Sequence, residues 1–272
     1  MALDIASAWE AVAPRYPELR GQVAIVTGSS QGIGQGIALR LAREGMKVVI
    51  NSRTRETVQA TTEQLRAVGA EALAVPADLS TEEGVATLFE ATLAAYGTVH
   101  VLVNNAAHLR RYHVFEVPDG LVDEHLATNV RGPYLCSVRA AQIMRDGGHG
   151  GSIINISSIG GLRAHWRGLP YDVTKGAINS MTQAMAIELI EYGIRVNAIA
   201  PGPIYVGRPY PPGDPRLDEW ANRVPARRLG TPLDIGAAVA FLASPDADYV
   251  VGQILAVDGG VVTQLSPRDQ PV

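Results

Sequence analysis

Residues 23–34 read Val23-Ala24-Ile25-Val26-Thr27-Gly28-Ser29-Ser30-Gln31-Gly32-Ile33-Gly34, and this stretch decides the fold. A short β-branched run, Val23–Thr27, ends directly in a glycine-rich turn, and a helical pattern over Gly34–Glu44 follows. A brief apolar run closed by glycine reads as a buried strand. Glycine allows a tight turn and a close approach to the backbone, while the N-terminus of the next helix favours negative charge. That combination suits a pyrophosphate, so dinucleotide binding is expected here. No Gly-Lys-Ser/Thr follows the turn, which disfavours a P-loop.

Further apolar runs lie at Val48–Ile50, Ala72–Val75, Val99–Val103, Ser152–Ile156, Arg195–Ile199 and Ile254–Val257. Helical patterns separate most of them, at Glu56–Val68, Glu82–Tyr96, Leu121–Met144 and Lys175–Tyr192. Strand–helix alternation with continuously apolar strands implies a parallel sheet covered on both faces. The expected fold is α/β: Rossmann-type, doubly wound, about seven-stranded. Residues 21–272 form one catalytic, dinucleotide-binding domain in this reading, since no linker or composition break divides them. Residues 1–20, with Trp9, Pro14, Tyr16 and Pro17, form an N-terminal extension that packs either on the body or on a neighbouring subunit. The Pro/Gly-rich stretch Pro201–Pro215 is the clearest long loop, of the kind that serves as a lid.

Composition narrows the function classes. Of 272 residues 47% are hydrophobic and 18% charged, enough for a sizeable core and too few charges for a disordered chain. A net charge of −4 without a basic run favours neither nucleic acid nor an anionic membrane as partner. The single cysteine, Cys136, sits in an apolar run and reads as a buried thiol. No metal-ligand cluster is expected. No stretch of about 18 apolar residues suggests a span, and early acids at Asp4 and Glu10 do not resemble a signal peptide. A cytoplasmic protein is expected.

Chemistry enters at Tyr171 and Lys175, which stand at i and i+4 and so share a helix face, with Ser158 thirteen residues upstream of the tyrosine. A phenol with a pKa of about 10 is a poor acid or base at neutral pH. A nearby cation favours the phenolate, and lowering the pKa by about three units takes ~4 kcal/mol. A phenol tuned in this way exchanges a proton with a carbonyl or alcohol oxygen. At the end of the second strand, Asn51-Ser52-Arg53 holds no acid that would grip the adenosine ribose of NAD. Arg53 is placed to pair with a 2′-phosphate instead, so NADP(H) is favoured over NAD(H).

With these motifs in order, the sequence resembles the short-chain dehydrogenase/reductase family, in its small single-domain branch. The resemblance spans roughly 21–260 and rests on the Thr27–Gly34 turn, Asp78-Leu79, Asn104-Asn105-Ala106, Asn129, Ser158, Tyr171/Lys175 and Pro201-Gly202. Singly, Asp78 could be a helix cap, Asn104 and Asn105 strand-end caps, Asn129 a kink residue and Ser158 a loop hydroxyl. The resemblance implies Tyr171 as acid/base, Lys175 as the residue that tunes it and holds the nicotinamide ribose, Ser158 as hydrogen-bond donor to the reacting oxygen, and Asn129 as support for a proton-relay water. Implied cofactor contacts are Gly28, Ser30, Gln31, Gly32, Ile33, Gly34, Ser52, Arg53, Asp78, Leu79, Asn105, Ala106, Tyr171, Lys175, Pro201, Gly202 and Ile204. It also implies a homotetramer with the helical segments Leu121–Met144 and Lys175–Tyr192 at one interface. Two departures stand out: Val206 replaces the threonine common after Pro-Gly, and Ala107 replaces the usual glycine after Asn-Asn-Ala.

The expected reaction is NADP(H)-dependent interconversion of a carbonyl and a secondary alcohol; the alternative is a cofactor-sensing regulator on the same fold without turnover. In open α/β sheets ligands bind beyond the carboxyl ends of the strands, so the loops after the fourth and fifth strands and the long Pro201–Pro215 loop should face the substrate. Among their residues His108, Arg110, His165, Trp166 and Tyr205 are the candidate substrate contacts. This basic and aromatic set suits a small polar molecule, a sugar-like polyol or a β-keto compound.

Overall fold

In a computed structural model that describes residues 3–266, seven strands pair in parallel in the order β3-β2-β1-β4-β5-β6-β7. They are β1 (Val23–Val26), β2 (Lys47–Ser52), β3 (Ala72–Pro76), β4 (Val101–Asn104), β5 (Gly151–Ile156), β6 (Ile194–Pro201) and β7 (Ile254–Val257). Alternation within the apolar runs assigns their side chains to two cores. Ala24, Val26, Val48, Ile50, Val101, Val103, Ile154 and Ile156 enter one core. Ile25, Val49, Leu102 and Ile153, the residues between them, enter the other. Such strands read as unbroken hydrophobic stretches because both faces are covered.

Helices α2 (Gly32–Arg43) and α9 (Pro232–Ala243) cover the first face. They approach closely where a Cβ on Gly36 would stand 2.7 Å from the Pro232 carbonyl carbon. The second face carries α4 (Glu82–Tyr96), α6 (Gly132–Asp146) and α7 (Leu169–Leu189). Helix α3 (Arg55–Ala67) packs beside β2 and β3. No described helix is long and apolar enough to cross a membrane.

Three expectations are refined. The extension packs on the body: α1 (Ile5–Ala11) is capped by Asp4 and buries Ile5 and Ala8 in the first core. Glu44 accepts the amides of Arg15 at 2.6 Å and Tyr16 at 2.8 Å while bridging Arg40, and the Arg43 guanidinium lies over Trp9. Residues 1–2 and 267–272 of the two expected segments lie outside the described residues. The helix expected over Leu121–Met144 consists of α5 (Leu121–Leu126), a π-helical turn (Ala127–Arg131) and α6. The helix expected from Lys175 begins earlier, as α7, so that Tyr171 lies in its first turn. Beyond the expected loop, α8 (Pro215–Arg223) precedes α9.

Arg195 of β6 locks the end of α9. Its guanidinium donates to the carbonyls of Leu242 at 2.7 Å, Ala243 at 3.5 Å and Ser244 at 3.1 Å, satisfying acceptors that a helix C-terminus leaves open. Replacing it with methionine keeps the apolar stem and strands those buried carbonyls, which should lower stability by about 2 kcal/mol. A thermal midpoint equal to that of the parent chain would contradict this role for the guanidinium.

Candidate active site

Strand order reverses between β1 and β4, so the carboxyl ends of these strands flank a crevice. A dense set of hydrogen bonds joins them. The Thr27 hydroxyl accepts the amides of Asn105 at 2.9 Å and Ala106 at 3.0 Å. In return the Asn105 carboxamide donates to the carbonyls of Thr27 and Gly28. Gly28 has φ +61°, and a Cβ there would lie 2.7 Å from the Ala106 Cα. The turn therefore needs glycine twice over, for its backbone conformation and for space. Gln31 enters α2 in extended conformation without a side-chain cap, leaving the first amides of the helix facing outward with Ser30, Gly32 and Ile33 beside them.

The second strand end carries Ser52, whose Oγ is buried with no hydrogen-bond partner. A buried hydroxyl oxygen without a partner is uncommon in a folded chain and marks a place where a ligand group completes the bonding. Arg53 is exposed, its Nη1 4.0 Å from Asp78 Oδ2. The other Asp78 oxygen accepts the Ser80 amide and hydroxyl, so Asp78 shapes the turn before α4. Leu79 is buried in the second core. Further along the cleft the Gly202 amide donates to Val257, and Ile204 bridges to Gly230. Val206 lies against the glycine turn, its Cγ1 3.6 Å from where a Gly32 Cβ would stand. An uncapped helix start and an orphaned hydroxyl at neighbouring strand ends suit a dinucleotide.

At the centre the helix start of α7 brings Tyr171 and Lys175 onto one buried face, opposite the end of β5. Ser158 follows β5; its Oγ accepts the Gly160 amide at 3.0 Å, so its proton is free to point at the Tyr171 phenol. Neighbouring Ser157 is turned away, donating to Asn179 at 2.6 Å. Burial raises the phenol pKa of Tyr171, while hydrogen bonding from Ser158 and the Arg111 guanidinium oppose the rise. Lys175 is fully buried; its Nζ donates to the Ile156 carbonyl at 2.7 Å and lies 5.5 Å from the Tyr171 ring centre. Burial pulls its pKa down to about 8. Arg111 stands beside the same phenol as a second cation, 4.9 Å from its ring centre.

Asn129 sits in the π-helical turn, buried. Its Oδ1 accepts the His108 amide at 2.6 Å, and its Nδ2 donates to the His108 carbonyl at 3.0 Å and to Thr174 at 3.1 Å. It therefore fastens the loop after β4 to α7. The Asn104 carboxamide donates to Asn155 and Ser137 in a buried network under the crevice.

The expected substrate contacts divide. His108 faces Glu124 at 3.4 Å and the buried His125, so its ring supports the loop. His165 meets Asp172 twice, backbone amide at 2.7 Å and Nδ1 at 2.8 Å, which folds the loop after β5 onto α7. The Tyr205 hydroxyl donates to the Tyr210 carbonyl within the long loop. These polar atoms meet partners within the protein, while the other ring nitrogen of His165, Nε2, has none recorded among the described residues. Trp166 is 84% exposed and touches His113, and Arg167 pairs with Glu116, so the two loops clasp at the rim. Arg110 is exposed, and its carbonyl faces His125. The sequence singles out neither Arg111 nor Asp172; no spacing signal separates them from their neighbours.

A family model described as Enoyl-(Acyl carrier protein) reductase matches residues 28–262. A 2-dehydro-3-deoxy-D-gluconate 5-dehydrogenase of Dickeya dadantii is 37% identical over 89% of this chain and 96% of its own length. A 3-oxoacyl-[acyl-carrier-protein] reductase of Staphylococcus epidermidis is 35% identical over 88% of this chain and 98% of its own. Among solved structures, a gluconate 5-dehydrogenase from Burkholderia cenocepacia in complex with NADP and tartrate superposes with a TM-score of 0.83 at 32% identity, covering 90% of this chain and 97% of that one. With the doubly wound sheet, the glycine turn and the serine–tyrosine–lysine cluster in place, these likenesses show that the chain belongs to the short-chain dehydrogenase/reductase family of NAD(P)-dependent oxidoreductases.

Proposed function

We propose that this oxidoreductase interconverts a carbonyl and a secondary alcohol with NADP(H), using Tyr171 as acid/base, on a small polar substrate. The observation that carries the reading is the meeting of the Ser158 hydroxyl with the buried Tyr171 phenol, one turn from Lys175. When bound, the nicotinamide supplies or accepts a hydride. The protein's task is the oxygen. Ser158, its lone pair engaged by the Gly160 amide, donates to the substrate oxygen. The raised pKa of Tyr171 keeps the phenol protonated at neutral pH, the form that protonates a developing alkoxide in reduction. Lys175 is placed to hold the nicotinamide ribose and Asn129 to support the relay. Ser52 and Arg53 would take the adenosine ribose and its 2′-phosphate, the support for NADP(H) over NAD(H). The gluconate-related names of relatives favour a polyol-like acid over an apolar ketone.

A homotetramer belongs to the same reading. A cavity of about 580 Å³ lined by Leu126, Val130, Tyr134 and Met181 opens on the surface of α5–α7, and Leu126, Tyr134 and Ile187 are exposed there. Sedimentation should give four times the chain mass; a monomer at micromolar concentration would refute it.

Tyr171→Phe should lower kcat by about 10²–10⁴-fold, the usual worth of general acid catalysis, with NADPH affinity retained. Near-parental turnover would disprove the role. Arg53→Ala removes a charge-assisted contact worth about 1.5–3 kcal/mol, so it should weaken NADPH more than tenfold and leave NADH nearly unchanged; equal losses would sink the cofactor preference. Asp172→Ala frees the His165 loop. Substrate KM should rise about 5–30-fold, from the ~1–2 kcal/mol of a buried acceptor, while the NADPH dissociation constant stays within about twofold. A KM that does not move would contradict the loop's part in substrate binding.

A further inference from the structure

We propose that Arg111 is the anion-reading residue of the substrate pocket, and that the molecule held against Ser158 and Tyr171 carries a carboxylate. This rests on the hydride-transfer reading of that site. Arg111 belongs to the loop after β4, whose backbone Asn129 fixes at His108. Its guanidinium carbon stands 4.9 Å from the Tyr171 ring centre. Stacked there, the guanidinium borders the hydroxyl that meets the substrate oxygen, and it is the only described arginine recorded over that ring.

The acids nearest this residue on the rim are already paired. Glu116 is taken by Arg167, Glu124 faces His108, and Asp172 faces His165. Among the described residues no carboxylate oxygen lies within 4.0 Å of the Arg111 guanidinium, whose hydrogen bond goes to the Tyr171 phenol. The planar fork of a guanidinium matches a carboxylate bidentately, and the hydrogen bond to the Tyr171 phenol leaves its other donors open. Arg111 is thus oriented by Tyr171 and short of a counter-ion, beside the reacting oxygen. The carboxylate is a spectator: no bond to it forms or breaks, and it sets which carbonyl reaches the phenol. A cation at this place also favours the alkoxide that develops during reduction.

The test is calorimetric titration of the NADP⁺-loaded protein with aldonates of three to six carbons, each against the alditol of the same length. The pairs differ only in carboxylate against hydroxymethyl. At least one aldonate should bind at least tenfold more tightly than its alditol. Arg111→Met should reduce that advantage at least tenfold with NADP⁺ affinity unchanged, Arg111→Lys should keep part of it, and Arg139→Met, an exposed guanidinium on α6, should leave it within about twofold, because a bidentate contact depends on position. Aldonates and alditols bound alike, no aldonate bound, or an advantage surviving Arg111→Met would overturn the assignment while leaving the hydride-transfer reading intact. Failure of the parent protein to bind either NADP⁺ or NAD⁺ would instead overturn that reading and this inference with it.

Discussion

The contact between the ends of β1 and β4 governs the rest of the molecule. Thr27 accepts two amides from Asn105 and Ala106, and Asn105 returns two donors to Thr27 and Gly28. This knot closes the turn on one side and leaves its outer amides unused on the other. Any side chain at Gly28 would drive into Ala106, so the turn and the loop after β4 move as one body. The same loop then runs to His108 and Arg111. Cofactor crevice and substrate rim are consequently held by one set of bonds.

Burial supplies the second constraint. Tyr171 and Lys175 lie on the covered face of α7, where desolvation opposes charge on both: it raises the phenol and lowers the ammonium to about 8. The phenol therefore holds its proton more tightly than the ammonium one turn away, and the hydroxyl of Ser158 and the guanidinium of Arg111 work against the phenol's rise. A proton site of this kind responds strongly to small changes in the nearby charge, since the low local dielectric magnifies each one.

Much of this was legible in the chain because it is local. The glycine turn, the strand runs and the Tyr171/Lys175 spacing are fixed by neighbours in sequence, and α4 occupies the span its pattern announces. Legibility failed where tertiary contacts choose the conformation. Nothing in the apolar pattern of residues 121–144 reveals a π-helical turn, which exists because Asn129 must reach both His108 and Thr174. The extension could not be assigned to the body until Glu44 was seen accepting the amides of Arg15 and Tyr16. Composition put a basic, aromatic rim in view, yet only geometry separates His108 and His165, which brace loops, from Arg111, which faces the phenol.

Asn129 grips the peptide of residue 108 by its amide and its carbonyl, and leaves the side chain aside. An anchor made of main-chain atoms is indifferent to what the loop displays. The exposed positions that follow can therefore be exchanged for others with little displacement of the groups that handle the proton. The position of the catalytic groups is in this way mechanically uncoupled from the rim, and only a charged rim residue such as Arg111 reaches the phenol, through its field.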